Sequence, residues 1–150
     1  MKFILTKELG RLARWLRILG FDTLYFESDN VATLILEALR EDRTIITRKK
    51  AKINDLEKKT VVILSGNLEE QLKELVEKLN LKIKEEEMFS RCTLCNAALE
   101  EVKKESVKQK IPPHVYKTQN NFMQCKICAK IYWQGSHWGK VQQVLESIVR

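Results

Sequence analysis

Long apolar runs are missing from this sequence. None approaches the ~20 residues that a membrane-spanning helix needs, so a helical membrane protein is not expected. The opening MKFILTKELG sets charge directly after a short apolar stretch. A secretory leader, with a longer apolar core and a small-residue cleavage site, is not expected there either. Prolines number two and glycines five, and no low-complexity tract or internal repeat is visible. Cysteine is scarce, with four in all, and so is histidine, with two. These absences point to a cytoplasmic protein with ordinary globular segments.

What is present is enough for a core. The chain has 150 residues, 44% of them hydrophobic, which suits one ordinary domain or two small ones. The net charge is +7 and the pI about 9.3. Such an excess favours a polyanionic partner, nucleic acid first, although a soluble Lys- and Glu-rich surface gives the same balance without any partner.

Residues 2–6 (KFILT) read as a buried strand, followed by a helix to about Leu19 with Gly20 in the capping position. Residues 23–26 form a second strand. Residues 28–42 form a helix with Val31, Leu34, Ile35 and Leu39 in helical period, capped by Ser28 or Asp29. Strands at 44–47 and 60–64 follow. Asn67 then caps a helix to about Leu79, with Glu70 three residues on as in a capping box. Strands alternating with helices imply an α/β fold, a parallel sheet covered on both faces, over residues 1–80. A charged connector covers 81–90. Residues 91–150 form a second unit, ending in a helix whose apolar face is Val141, Val144, Leu145, Ile148 and Val149. That face either docks on the rest of the protein or receives a partner.

The cysteines fall into two Cys-x-x-Cys pairs, Cys92/Cys95 and Cys125/Cys128. Two such turns aim four thiolates at one ion, so a structural Zn2+ is expected, with His114 and His137 not required. Disulfides and a redox dithiol are the competing readings. Residues 96–124 lie between the pairs, a longer excursion than the usual ~15–20 residues of a compact ribbon.

On the first helix Leu9, Leu12, Ala13, Leu16 and Leu19 make the sheet-facing stripe. Arg11, Arg14 and Arg17 step round the other side, with Trp15 and Ile18. Those arginines are either a solvated face or a stripe of phosphate contacts. Arg48, Lys49, Lys50 and Lys52 follow the third strand. Ligands of an open parallel sheet bind at the carboxyl ends of its strands, which makes this edge a candidate RNA cradle.

GRLARWLRILGFDTLYF, DRTIITRKK, the paired knuckles, IPPHVY and IYWQGSHW together resemble the Mut-7 C-terminal RNase domain family, across essentially the whole chain. The resemblance implies a PIN-like α/β domain with a C-terminal zinc ribbon. It implies RNA hydrolysis, with Mg2+ or Mn2+ held by acids at the carboxyl ends of strands. Asp29 and Asp22 match acidic positions of the family, Asp29 being equally a helix cap. Two other family acids are replaced, by Thr6 and by Lys49. A lysine in place of a carboxylate changes the local charge by two units against a dication. The expectation is therefore an RNase-family protein that binds RNA on a basic edge, with hydrolysis in question. The alternative is a catalytically degenerate RNA-binding protein of a larger ribonucleoprotein such as the ribosome. Asp42 and Asp55 are candidates to replace the lost acids.

Overall fold

The computed structural model describes residues 1–49, 59–135 and 137–149. β1 (Lys2–Thr6) leads through a single 3-10 turn into α1 (Gly10–Ile18), then β2 (Asp22–Phe26), α2 (Val31–Arg40), β3 (Thr44–Thr47), β4 (Thr60–Val62) and α3 (Leu68–Leu79). The strands form one parallel sheet in the order β2-β1-β3-β4. The chain thus leaves β1 toward one edge and returns over α2 to β3 on the other side. The carboxyl ends of β1 and β3 flank this reversal, the place where an open α/β sheet forms a crevice.

Alternation along the strands supplies both faces. Phe3, Leu5 and Ile46 point into the larger core with Leu12, Leu16, Leu72 and Leu75 from α1 and α3. Ile4 and Ile45 point the other way, against Leu34 and Ala38 of α2. A two-sided apolar strand is what a parallel sheet with helices on both faces requires.

The helix ends follow local chemistry. Asn67 accepts from Glu70 N at 2.9 Å, and Asn80 closes α3 in the left-handed conformation. At α2 the cap is Asn30, whose side chain accepts from Thr33 N at 3.1 Å, rather than Ser28 or Asp29. Asn30 is the residue directly before the helix, and only from there does a short side chain reach the free N–H groups of the first turn. Asp29 is left available for another partner. At the end of α1, Gly20 has φ +97, and a Cβ there would run into the Glu87 carbonyl.

A separate antiparallel sheet is formed by β5 (Leu99–Val102), β6 (Phe122–Cys125) and β7 (Ile131–Tyr132), with α4 (Pro113–Thr118) in the excursion between the knuckles. Val107, Ile111, Val115 and Phe122 give it a small core of its own. The last helix, α5 (His137–Val149), docks as one of the two sequence readings expected. Val141, Val144 and Ile148 join the core under α1 and α3, away from the small ribbon core. Phe89 and Trp138 stack beside it at 5.1 Å.

Gly20→Ala is expected to lower the unfolding free energy by more than about 1 kcal/mol, because positive φ and the Glu87 contact both oppose a side chain. Urea unfolding checks this, and a variant as stable as the parent contradicts it.

Candidate nucleic-acid edge and metal cluster

The crevice edge is built by the residues that follow β1, β2 and β3. Thr6 ends β1 and donates from its hydroxyl to Glu8 Oε1 at 2.6 Å. The same oxygen accepts from the Thr47 hydroxyl at 3.2 Å and from Arg48 N at 3.1 Å. Burial works against the Glu8 charge, but the bonds from Thr6, Arg48 and Thr47 outweigh it and hold the carboxyl below its usual range. Glu8 was not singled out in the sequence. Its one signal is position, as the first acid after β1, two residues past Thr6.

Beside it, Lys7 Nζ lies 2.8 and 2.9 Å from the two oxygens of Asp29. The hydrogen bond and charge of Lys7 lower the Asp29 pKa, with a smaller push from Lys49. Thr6, Lys7, Glu8, Asp29, Thr47 and Lys49 line a depression of only about 70 Å³. A divalent ion here needs open carboxylate oxygens in near-octahedral array. Glu8 Oε1 already carries three donors, both Asp29 oxygens face an ammonium, and Lys49 adds a second cation. These residues do not fit Mg2+ or Mn2+.

Asp22 stands elsewhere. It pairs with Lys2 in the β1–β2 register, at the amino end of the sheet, whereas Asp29 follows the carboxyl end of β2. Strand length separates them by more than about 13 Å along the chain direction, so the two acids do not form one site. Asp22 Oδ1 instead accepts from buried Arg43 Nη1 and from Asn96 Nδ2, both at 2.7 Å. Asp42 precedes β3 at that same amino end and pairs with Lys59. Lys50, Lys52 and Asp55 lie outside the described residues.

The arginines of α1 also divide. Arg11 and Arg14 are exposed, and neither has an ion-pair or hydrogen-bond partner among the described residues. Arg17 is 8% exposed. Its Nε donates to Thr23 O at 2.8 Å, and its Nη1 donates to Thr93 O and Leu94 O at 2.8 and 3.3 Å. The reason is geometric: steps of three residues slip by about 60° each on a helix, so Arg17 is turned by about 120° from Arg11. Its donors are spent on the first knuckle and the edge strand, and it leaves the phosphate stripe. Arg48 and Lys49 remain exposed beside β3.

The four cysteines converge. Their sulfurs all lie within 4.8 Å of one another, and Cys92 and Cys128 are 3.7 Å apart. Tetrahedral zinc with bonds near 2.3 Å sets its sulfurs about 3.8 Å apart. Burial opposes the Cys92 thiolate, but Tyr132 and the Cys95 and Leu94 N–H groups donate to it and bring it down to about 6. Cys95, bonded to Cys128 and set against the Cys92 charge, is pushed up to about 12. Thiols this crowded resist ionising together, and a dication among them removes that repulsion. The cluster can hold a metal ion such as zinc, in the manner of a zinc ribbon. Among the described residues no second group of three or more His, Cys, Asp or Glu ligands gathers.

The Mut7-C RNAse domain model matches residues 1–145, nearly the full chain. The chain belongs to the Mut7-C RNAse domain family. No curated protein and no solved structure matches it. Membership in the Mut7-C family brings a nuclease-like fold and suggests RNA as substrate or partner. No helix among the described residues is long and apolar enough to cross a membrane.

Removing Asp22 leaves the Arg43 guanidinium, which is 3% exposed, with Glu41 as its remaining carboxylate partner. Asp22→Ala is expected to cost about 2 kcal/mol at neutral pH, as a hydrogen bond between charged groups is lost. The Asp22 pKa is lowered: burial raises it, and Arg43 and Asn96 more than reverse that. A carboxyl with a depressed folded pKa stabilises fully above its unfolded value, near pH 4, and loses that contribution as pH falls through the folded value. The stability difference between parent and variant therefore shrinks below about pH 4. Denaturant unfolding across pH 2–7 measures it.

Proposed function

We propose that this protein binds RNA on the carboxyl edge of its sheet without metal-dependent hydrolysis. The observation that carries the reading is Lys7 seated on both oxygens of Asp29, beside a Glu8 oxygen filled by Thr6, Thr47 and Arg48 N. In a metal nuclease, dications neutralise the phosphate and activate water. Here fixed lysines supply the positive charge, and among the described residues the edge carboxylates are already engaged by donors of the protein itself. Lys7, Arg48 and Lys49 would meet phosphate oxygens there, with Arg11 and Arg14 further along α1. Such RNA could be free or held in a larger ribonucleoprotein such as the ribosome, in a reducing, cytoplasmic setting.

Family membership favours a second reading, hydrolysis with Mg2+ or Mn2+ and Asp29 as the acid. An assay with labelled single-stranded RNA, in Mn2+ and in EDTA, separates the two. The expected result is intact RNA in both, affinity unchanged by EDTA, and about tenfold weaker binding for Lys49→Glu, as repulsion replaces one phosphate contact. Cleavage that requires Mn2+ and is lost in Asp29→Asn would overturn the first reading in favour of the second.

The cysteine cluster is read as one structural Zn2+. Four thiolates close the tetrahedral shell, so no position remains for a catalytic water. Metal analysis of reduced protein is expected to give about one Zn2+ per chain, lost in Cys125→Ser together with thermal stability of the ribbon. Protein that is fully folded and free of zinc would refute this.

A further inference from the structure

A second concavity, of about 480 Å³, lies on the α1 side of the molecule. Gly10, Arg11 and Arg14 line it along α1, Tyr25 on the edge strand β2, and Thr93 and Leu94 on the first knuckle. We infer that this groove seats single-stranded RNA, with Arg11 and Arg14 on its phosphates and an unpaired base against Tyr25 and Leu94. The inference rests on the RNA reading above and extends it to a particular track and strand form.

Charge and shape agree on the occupant. Arg11 and Arg14 stand one helical turn apart with their donors uncommitted, facing one exposed acid at the rim, Glu27. An arginine fork suits phosphate oxygens. The facing wall is aromatic and aliphatic instead. The Tyr25 hydroxyl donates to Lys7 O at 2.5 Å, and a Cβ on Gly10 would come within 3.2 Å of the ring. Glycine at position 10 thus lets the ring lie close on α1, held in one orientation.

Leu94 is 54% exposed, and Ile127, at the corresponding place in the second knuckle, is 73% exposed. Neither apolar tip serves a core. A cationic wall opposite a fixed aromatic and an apolar tip matches a strand whose bases are free to stack. A duplex keeps its base faces stacked inside and offers Tyr25 only an edge.

The groove is also continuous with the edge. Tyr25 bonds the main chain of Lys7, the residue that neutralises Asp29. The knuckle wall is rigid, because Arg17 holds both the Thr93 and Leu94 carbonyls. A strand can therefore run from Lys49 and Lys7 past Tyr25 to the knuckle.

The test uses the full chain and a labelled 12-nucleotide oligouridine, against a duplex of equal length. Arg11→Ala with Arg14→Ala is expected to weaken single-strand binding about tenfold. It should also reduce the slope of log affinity against log salt by about 1.4, or about 0.7 for each lost phosphate contact. Leu94→Asp, a surface change, should weaken it several-fold, and the duplex should bind more weakly than the single strand. Oligouridine carrying 4-thiouridine should cross-link to peptides containing Tyr25 or Leu94. Single-strand binding that is unchanged in the arginine and Leu94 variants, with cross-links confined to residues 47–49, overturns the groove and leaves the edge reading standing. Equal affinity for duplex and single strand overturns the choice of strand form. Absence of any RNA binding at low salt overturns both readings together.

Discussion

A guanidinium taken out of water must find acceptors for its donors, and Arg17 finds them in two different parts of the chain. One donor goes to Thr23 on the edge strand, another to Thr93 and Leu94 in the first knuckle. The ribbon is therefore positioned on the α/β body by directional bonds as well as by apolar contact. Asn96 works in the same seam. In a positive-φ conformation it accepts from Thr23 N and donates to Asp22, which in turn holds Arg43. Arg91 adds bonds to Gly20 O and Asn96 O. Because the wall of the groove is the knuckle itself, the shape of that groove follows from this buried polar seam.

The carboxyl edge shows a different use of charge. Where parallel-sheet nucleases gather acids for metal ions, this protein pairs Glu8 and Asp29 with its own donors. Glu8 is satisfied by two hydroxyls and a main-chain N–H, and Asp29 by the Lys7 ammonium. Thr6 can fill that role because a hydroxyl donates where an aspartate could not. The residues of the edge are thus mutually consistent: with Thr6, Lys7 and Lys49 present, the nearby carboxylates are stabilised by protein donors and cations. Exposed basic residues at such an edge attract a polyanion through charge alone, whether or not a metal ion is bound.

Much of the fold was legible in advance. The strand–helix alternation, the Asn67 cap, the Gly20 end of α1 and the docking face of α5 all rest on short-range pattern. The site was legible in pieces. Cys92, Cys95, Cys125 and Cys128 converge as their spacing implied. Arg11, Arg14, Arg48 and Lys49 stand exposed, while Arg17 does not. A three-residue step resembles one face over two positions and leaves it by the third. Glu8 is not legible in sequence, because a single acid after a strand has no distinguishing neighbour there. The α2 cap is Asn30 and not Ser28 or Asp29, since all three are good caps and only the backbone picks among them.

The sequence by itself determined the α/β pattern, the Asn67 and Gly20 helix ends and the two thiol pairs, because each depends on residues within a few positions of one another. Only the tertiary structure decided what each acid meets. Asp22 and Asp29 flank opposite ends of β2, and packing gives the first Arg43 and Asn96, which make it a strut, and the second Lys7 at the crevice. It also decided the fate of Arg17, whose acceptors Thr93 and Leu94 lie 76 and 77 positions away in the chain. Spacing along a chain fixes which residues can share a helix face or a turn. Which charges meet is set by the packing that brings distant backbone carbonyls within hydrogen-bond range.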